Sequence, residues 1–151
     1  MRRSFVSISE GFTHTVMAIP SRAIAIQSEE AIQNEGADRP KRNWVWDIHN
    51  PRHPYPLAPF PPIADTAALC HAGGRFGSHN IEMNRPVANS RTLTETVVGS
   101  YFNSGVRAYS IADPSHPVEI GYVDEHGLIY ANDRLSGGLY VIRYTGTTKL
   151  R

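Results

Sequence analysis

Short stretches of β-branched and aromatic residues alternate with Pro- and Gly-rich segments along the chain. This alternation is typical of strands joined by turns, and it leaves no room for long helices. The predicted strands cover residues 14–19, 23–27, 43–48, 56–60, 79–83, 96–102, 106–111, 118–123, 128–132 and 139–144. The pattern therefore predicts an all-β protein, with a single turn of helix at 28–31 inside a long loop.

Two of the predicted strands run into the same kind of turn. Segments 45–54 and 108–117 each place an aromatic residue two positions before an isoleucine, and an Asn-Pro or Asp-Pro pair follows. Proline presets φ and the Asx side chain caps the loop, so each pair starts a turn. The offset is 63 positions, from Ile48 to Ile111. A strand and a turn shared in this way indicate an internal repeat.

The repeat includes the neighbouring strands. Each unit opens with a strand that begins at a histidine, His14 in the first unit and His79 in the second, and a third unit is present in part. Four-stranded units in tandem are the signature of a β-propeller, whose blades run about 40 to 45 residues. The sequence thus predicts one partial propeller domain, 1–151, with antiparallel units at 12–60, 78–123 and 124–146. That is about two and a half blades.

The predicted units are too few to close a propeller. Closure takes about four to eight blades, and only closure hides the strand edges. We therefore expect the chain to associate with itself or with blades that it lacks. Insertions at 28–42 and 61–77 lengthen the units, and long loops often carry function.

Composition and charge exclude some classes of partner. The 15 Lys and Arg against 14 Asp and Glu give a net charge of +1, so nucleic acid is not an expected partner. No apolar run approaches the roughly 20 residues of a membrane helix, and residues 4–15 lack the unbroken apolar stretch of a signal peptide. We therefore expect a cytoplasmic protein that does not bind membranes. A start placed downstream of a true signal would make it a secreted one.

The segment 106–117 resembles the hallmark of the LVIVD-repeat proteins, a bacterial β-propeller family. Segments 73–80, 101–105 and 127–140 also resemble the C-terminal half of such proteins, so the similarity covers nearly the whole chain. The resemblance implies a propeller. Family members continue for several more blades on the N-terminal side, and they place a loop and an opening strand between the positions of Tyr122 and Val123. The family is distantly similar to the selenium-binding proteins, some of which are thiol oxidases with a channel metal, but that kinship is too remote to imply an activity.

His14 and His79 are the strongest candidates for chemistry. The first strand of a propeller blade lines the central channel, so equivalent histidines of adjacent blades would converge there. Neutral imidazoles bind transition metal ions, which makes such an ion the candidate cofactor. The alternative is that each ring bonds a backbone carbonyl at a blade junction, because two ligands are fewer than the usual three or four.

Three residues of the second insertion are weaker candidates. Cys70 beside His71 would suit a nucleophile or a soft metal ligand, whereas adjacent residues of an extended chain usually point apart, which favours a partly buried thiol and a surface imidazole. Arg75 lies in a glycine-rich run, 73–77, that lacks the Gly-Lys-Ser/Thr ending of a phosphate loop. We expect it to pair with a loop carboxylate.

Three functions are compatible with these features. The first is a propeller module that binds a ligand or acts as a scaffold. The second is a fragment of a metal-dependent redox or hydrolytic enzyme with channel-lining histidines. The third is a truncated product without independent function.

Overall fold

The computed structural model describes residues 12–38, 41–64, 66–71, 73–82, 84, 92–121, 128–133 and 138–143. Within these residues the protein is all-β, as predicted, with one short helix, α1 (Thr66–Cys70), and one 3-10 turn, Pro20–Arg22. No helix in this part of the chain is long and apolar enough to cross a membrane. The strands are β1 (Phe12–Ile19), β2 (Ile24–Glu30), β3 (Asn43–Asp47), β4 (Tyr55–Pro59), β5 (Thr96–Ser100), β6 (Val106–Ser110), β7 (Val118–Gly121), β8 (Leu128–Asp133) and β9 (Gly138–Arg143).

The strands form three antiparallel sheets. Their orders are β1-β2-β3-β4, β5-β6-β7 and β8-β9. The described strands do not close into a barrel or a propeller, so the number of blades stays a prediction. The predicted start of the third unit, 124–127, and the predicted strand ends Met83, Val123 and Tyr144 lie outside the described residues.

Three local predictions need correction. The helical turn predicted at 28–31 is wrong, because residues 28–30 are the end of β2 and pair with β1. Ladder hydrogen bonds on a strand outweigh the weak helix preference of one Ser-Glu-Glu-Ala turn. The second insertion, predicted as a loop, contains α1. Residues 79–82 are not a regular strand, since they meet β5 through an isolated bridge, Ile81 with Gly99, and a few backbone bonds.

The two copies of the repeat occupy equivalent places. β3 lies between β2 and β4, and β6 lies between β5 and β7. Each pairing with the last strand contains a β-bulge, with Leu57 as the extra residue in β4 and Ile120 in β7. The turns also match, because Asn50 Oδ1 and Asp113 Oδ1 each accept the backbone N–H two residues later. The predicted equivalence of the two strand and turn segments is confirmed.

One hydrophobic core joins the first two sheets. The face that the first sheet turns to this core is opposite, in repeat position, to the face that the second sheet turns to it. The first sheet contributes Val45, whereas the second contributes Tyr109, which corresponds to Trp46. Phe60 packs edge-on against Tyr109, with ring centroids 4.8 Å apart. The core contains Met17, Ile19, Ile24, Ile26, Val45, Phe60, Ile81, Val97, Tyr101, Tyr109 and Ile111. Each such side chain contributes about 1.5 to 3 kcal/mol on full burial.

Hydrogen bonds between the first two sheets hold them in their relative position. Arg22 donates from Nη1 to the carbonyls of Thr94 and Ile111, at 2.9 and 2.7 Å. Inside the core, Asn43 Nδ2 donates to the Tyr101 hydroxyl at 2.8 Å. Burial raises the pKa of Tyr101 well above its ordinary value and that of Tyr109 to about 12. Both phenols therefore stay neutral in the folded protein over the physiological range.

Candidate metal centre

His14 is the extra residue of a β-bulge in β1. Thr13 pairs with Glu29 and Thr15 pairs with Ser28, so His14 has no partner residue of its own in β2. A bulge bends its strand and re-aims the side chain, and such bulges are frequent next to active sites. The Thr15 N–H donates to Ser28 Oγ at 3.2 Å, which holds the strand directly after the bulge.

A serine also holds the backbone beside His79 in the second unit. Its N–H donates to the Ser100 carbonyl at 3.0 Å, and the Ser100 N–H donates to the Asn80 carbonyl at 2.8 Å. The Asn80 N–H is 3.3 Å from Ser100 Oγ. Ser100 thus faces both His79 and Asn80, just as Ser28 faces the bulge in β1. In both units, a serine hydroxyl thus accepts the N–H of the residue that follows the histidine.

The end of β2 brings the two histidines together. Ser28 Oγ donates to the His79 carbonyl at 2.6 Å, and Ser78 Oγ donates to the Glu29 carbonyl at 2.6 Å. The ring centroids of His14 and His79 are consequently 4.6 Å apart. The expectation that the two side chains are near neighbours is confirmed, whereas metal binding by them stays a prediction.

Glu30 completes a group of three potential ligands. Its Oε2 lies 3.8 Å from His14 Nε2 and its Oε1 lies 3.7 Å from His79 Nε2. Among the described residues, this is the one group of three His, Cys, Asp or Glu side chains whose ligand atoms lie within 4.8 Å of one another. Bonds of about 2.0 to 2.1 Å to a tetrahedral zinc ion separate ligand atoms by about 3.3 Å. Side-chain movements of an ångström or so therefore suffice to enclose an ion.

The Nδ1 atom of each imidazole lies within hydrogen-bonding distance of a polar side chain. His14 Nδ1 lies 2.8 Å from Thr15 Oγ1, and His79 Nδ1 lies 3.3 Å from the side-chain amide of Asn80. Thr15 Oγ1 and Asn80 Oδ1 are themselves 3.4 Å apart. Partners on Nδ1 fix the ring and leave Nε2 for a metal. Coordination through Nε2 keeps the proton on Nδ1, which in His79 requires the amide oxygen of Asn80 to face the ring.

Arg75 and Phe102 border the group. The ring of His79 stacks on Phe102, with centroids 4.7 Å apart and an interplanar angle of 18°. The Arg75 guanidinium lies 5.4 Å from the Phe102 ring centroid, and its Nη1 donates to Glu30 Oε1 at 3.0 Å. Arg75 does pair with a carboxylate, but with one on strand β2 and not in a loop. With neutral imidazoles, the charges of Glu30 and Arg75 cancel.

Cys70 and His71 lie apart from this group. Cys70 ends α1, is half-buried, and packs its Sγ against Gly36. His71 is exposed. This is the arrangement that the structural interpretation of the pair predicts, a partly buried thiol beside a surface imidazole.

Two further histidines bond to aspartates in the matching turns. His49 Nδ1 lies 3.0 Å from Asp47 Oδ2, and His116 Nδ1 lies 3.0 Å from Asp113 Oδ2. The pKa of Asp47 is lowered chiefly by the N–H of His49, and that of Asp113 chiefly by the N–H of Ser115. These exposed pairs are turn contacts, without a third ligand group beside them in the described part of the chain.

The sequence interpretation missed Glu30 and Phe102. Glu30 was assigned to a helical turn, and the predicted opening strand, 14–19, begins after Phe12, the residue that pairs with Glu30. The predicted strands therefore carried no signal that placed Glu30 on β2. Phe102 has a positive φ of 42°, which is uncommon for a bulky residue, and no local pattern predicts its stacking on His79.

Comparison of the chain with protein-family models, with curated proteins and with solved structures gave no match. The resemblance to the LVIVD-repeat proteins therefore stays a prediction from the sequence.

Proposed function

We propose that this protein is a metal-binding module in which His14, His79 and Glu30 hold a divalent transition metal ion. The observation that carries the proposal is the convergence of three ligand atoms within 4.8 Å. Two imidazoles and one carboxylate are a ligand set of catalytic zinc sites and of non-haem iron sites. The contacts on both Nδ1 atoms add the outer support that metal-binding histidines usually have.

The number of ligands favours a site with an open position. Three protein ligands leave at least one coordination position of a zinc or iron ion for water or a substrate. A bound water of this kind is the basis of metal-assisted hydrolysis, and an open position on iron is the basis of redox chemistry. This feature supports the second candidate function, a metal-dependent hydrolytic or redox enzyme.

We also propose that the module is part of a propeller of the LVIVD-repeat kind. Stacking of the first sheet on the second through opposite repeat faces supports this proposal, because each tandem blade packs one face on the preceding blade and the other face on the next. The face of Trp46 in the first sheet corresponds to the buried face of Tyr109 in the second. Trp46 is only half-buried, which favours its contact with a further blade or a second copy. Cytoplasmic location and the absence of nucleic-acid and membrane partners remain expectations from the sequence.

Titration with Zn²⁺ tests the metal site. The wild type is expected to bind one equivalent, and His14→Ala, His79→Ala and Glu30→Gln are each expected to lose at least about tenfold in affinity. Loss of an outer-shell partner alone typically costs 10- to 100-fold, so loss of a ligand costs no less. His116→Ala, an exposed histidine beside an aspartate, is the matched control and should bind as the wild type does. Equal binding by all five proteins would rule the site out.

A further inference from the structure

The charge of the cluster changes when a metal binds. Glu30 and Arg75 balance each other in the ion pair at 3.0 Å. A divalent cation held by neutral imidazoles adds two positive charges, and Glu30 then serves both the metal and Arg75. Glu30 is the one carboxylate in the group, and its side chain is 23% exposed. The centre is only partly exposed, so the added positive charge is incompletely screened by solvent and an anion beside it is favoured.

Arg75 has the geometry to hold such an anion. Nη1 makes its bond to Glu30 and a longer one, 3.4 Å, to the Ala31 carbonyl. Its Nε and Nη2 have no hydrogen-bond partner among the described residues. The side chain is 40% exposed, so solvent and solutes reach it. A guanidinium presents its N–H groups in a planar fork that matches a carboxylate.

We propose that the centre binds a small carboxylate anion between the metal and Arg75, with one oxygen in the open coordination position and the other accepting from the guanidinium. This inference rests on the proposed metal site. Arg75 is then a substrate-binding or ligand-binding residue. Phe102 holds it in position, because the aromatic ring lies beside both the guanidinium and the His79 imidazole.

Binding of the metal and of the anion is coupled. By linkage, an anion that binds better to the metal-loaded protein raises the metal affinity by the same factor. Arg75 acts on the two ligands in opposite ways. Without an anion it competes with the metal for Glu30, whereas with an anion it stabilises the ternary complex.

The experiment uses Co²⁺ in place of Zn²⁺, because its visible absorption reports both metal binding and a change of ligands. Acetate is titrated into the Co²⁺-loaded protein at constant ionic strength, with the wild type, Arg75→Gln, Arg75→Lys and Arg52→Gln. Arg52 is exposed and lies in the turn after β3, at the opposite end of the first sheet from Glu30. Its variant removes the same charge far from the centre.

The wild type should show a saturable spectral change with acetate, and Arg75→Gln should weaken acetate binding at least about tenfold while still binding Co²⁺. Hydrogen bonds between charged groups are worth about 1.5 to 3 kcal/mol, which sets this scale. Arg75→Lys retains the charge and loses the planar fork, so its acetate affinity should lie between those of the wild type and Arg75→Gln. Arg52→Gln should bind acetate as the wild type does. If Co²⁺ binds but acetate binding is absent, or is equal in all four proteins, the inference is overturned and the proposed metal site stands. Absence of Co²⁺ binding by the wild type would overturn the proposed metal site as well.

Discussion

The first two sheets agree in their central strands and differ where they begin. In both, the central strand leads into an Asx turn and pairs with a last strand that bulges at the same repeat position. The first sheet opens with the eight-residue strand β1. The second opens with residues 78–82, which meet β5 through one bridge and a few bonds.

The difference explains the position of the candidate site. Residues 78–80 divide their hydrogen bonds between two strands, since Ser78 bonds the backbone of Glu29 in β2 while His79 and Asn80 bond Ser100 in β5. This segment cannot lie flat along one sheet. The resulting path carries His79 to Glu30 and to the bulged His14. The site therefore depends on contacts between the sheets, whereas the repeat depends on each sheet alone.

The largest expected loss of stability comes from truncating the aromatic residue at the position that the two units share. Tyr109 is fully buried between the sheets, and the corresponding Trp46 is half-buried. Tyr109→Ala should lower the free energy of unfolding by about 3 to 5 kcal/mol, and Trp46→Ala by roughly half of that or less. Urea unfolding at neutral pH measures both. Equal losses would mean that Trp46 is covered by a second copy or another partner in solution, which sedimentation at several protein concentrations would show.

Alkaline pH should destabilise the core between the first two sheets, where Tyr109 is buried. The pKa of Tyr109 is raised to about 12 by burial, above the ordinary value near 10. Its stabilising contribution is complete below pH 10 and is lost as the pH rises through 12, because the unfolded chain gives up the proton first. In Tyr109→Phe this loss is absent. The stability difference between wild type and variant should therefore change by about 2 to 3 kcal/mol over that window.

The alkaline experiment has an internal check at Tyr55. This residue is exposed in the first sheet and bonds Asp47. The bond to Asp47 also raises the pKa of Tyr55, but solvent screens this exposed pair, so Tyr55→Phe should keep most of the alkaline loss of the wild type. If Tyr55→Phe and Tyr109→Phe have identical stability profiles from pH 9 to 12, the assignment of the loss to the buried phenol is wrong.

A smaller loss of stability is expected on removing the hydroxyl of either serine that contacts the backbone near a histidine. Ser28 is fully buried, and its hydroxyl bonds both the N–H of Thr15 and the carbonyl of His79. Ser100 is half-buried, and its hydroxyl accepts the N–H of Asn80. Ser28→Ala should cost about 1 to 3 kcal/mol and Ser100→Ala about 0.5 to 1.5 kcal/mol.

The Ser100 hydroxyl thus makes a single hydrogen bond within the described residues, to the N–H of Asn80. Thermal unfolding of both alanine variants checks the difference in stability. Zn²⁺ titration of the same variants adds a functional readout. Ser28→Ala releases the N–H of Thr15, next to His14, and the carbonyl of His79, so it should weaken metal binding more than Ser100→Ala does. A reversed order would contradict the proposal that the end of β2 positions both rings.

The sequence predicted those parts of the fold that depend on neighbouring residues. The strand pattern and the Pro-containing turns at Asn50 and Asp113 are local features, so the central strands and their equivalence were predicted correctly. The end of β2 was not predicted, because its hydrogen bonds come from β1 and from residues 42 and 78, which are distant in sequence. Long-range pairing outweighed the local helix preference of residues 28–31.

The candidate site was predicted in part, for a related reason. His14 and His79 stand at the same repeat position, so the repeat itself predicted that they would be close. Glu30 and Arg75 have no counterparts with this role in the repeat pattern, and their meeting at 3.0 Å depends on how the insertions fold. A repeat pattern identifies what the units share. Glu30 lies in one unit alone, and Arg75 lies in the insertion between the first two units.

The most direct test of the metal site is a crystal structure of the Zn²⁺-loaded protein with anomalous diffraction recorded on both sides of the zinc absorption edge. The proposal predicts one strong anomalous peak about 2.0 to 2.2 Å from Nε2 of His14, Nε2 of His79 and a carboxylate oxygen of Glu30. A peak at Cys70 and His71 instead, or the Glu30–Arg75 ion pair intact with no peak between the two histidines, would contradict it.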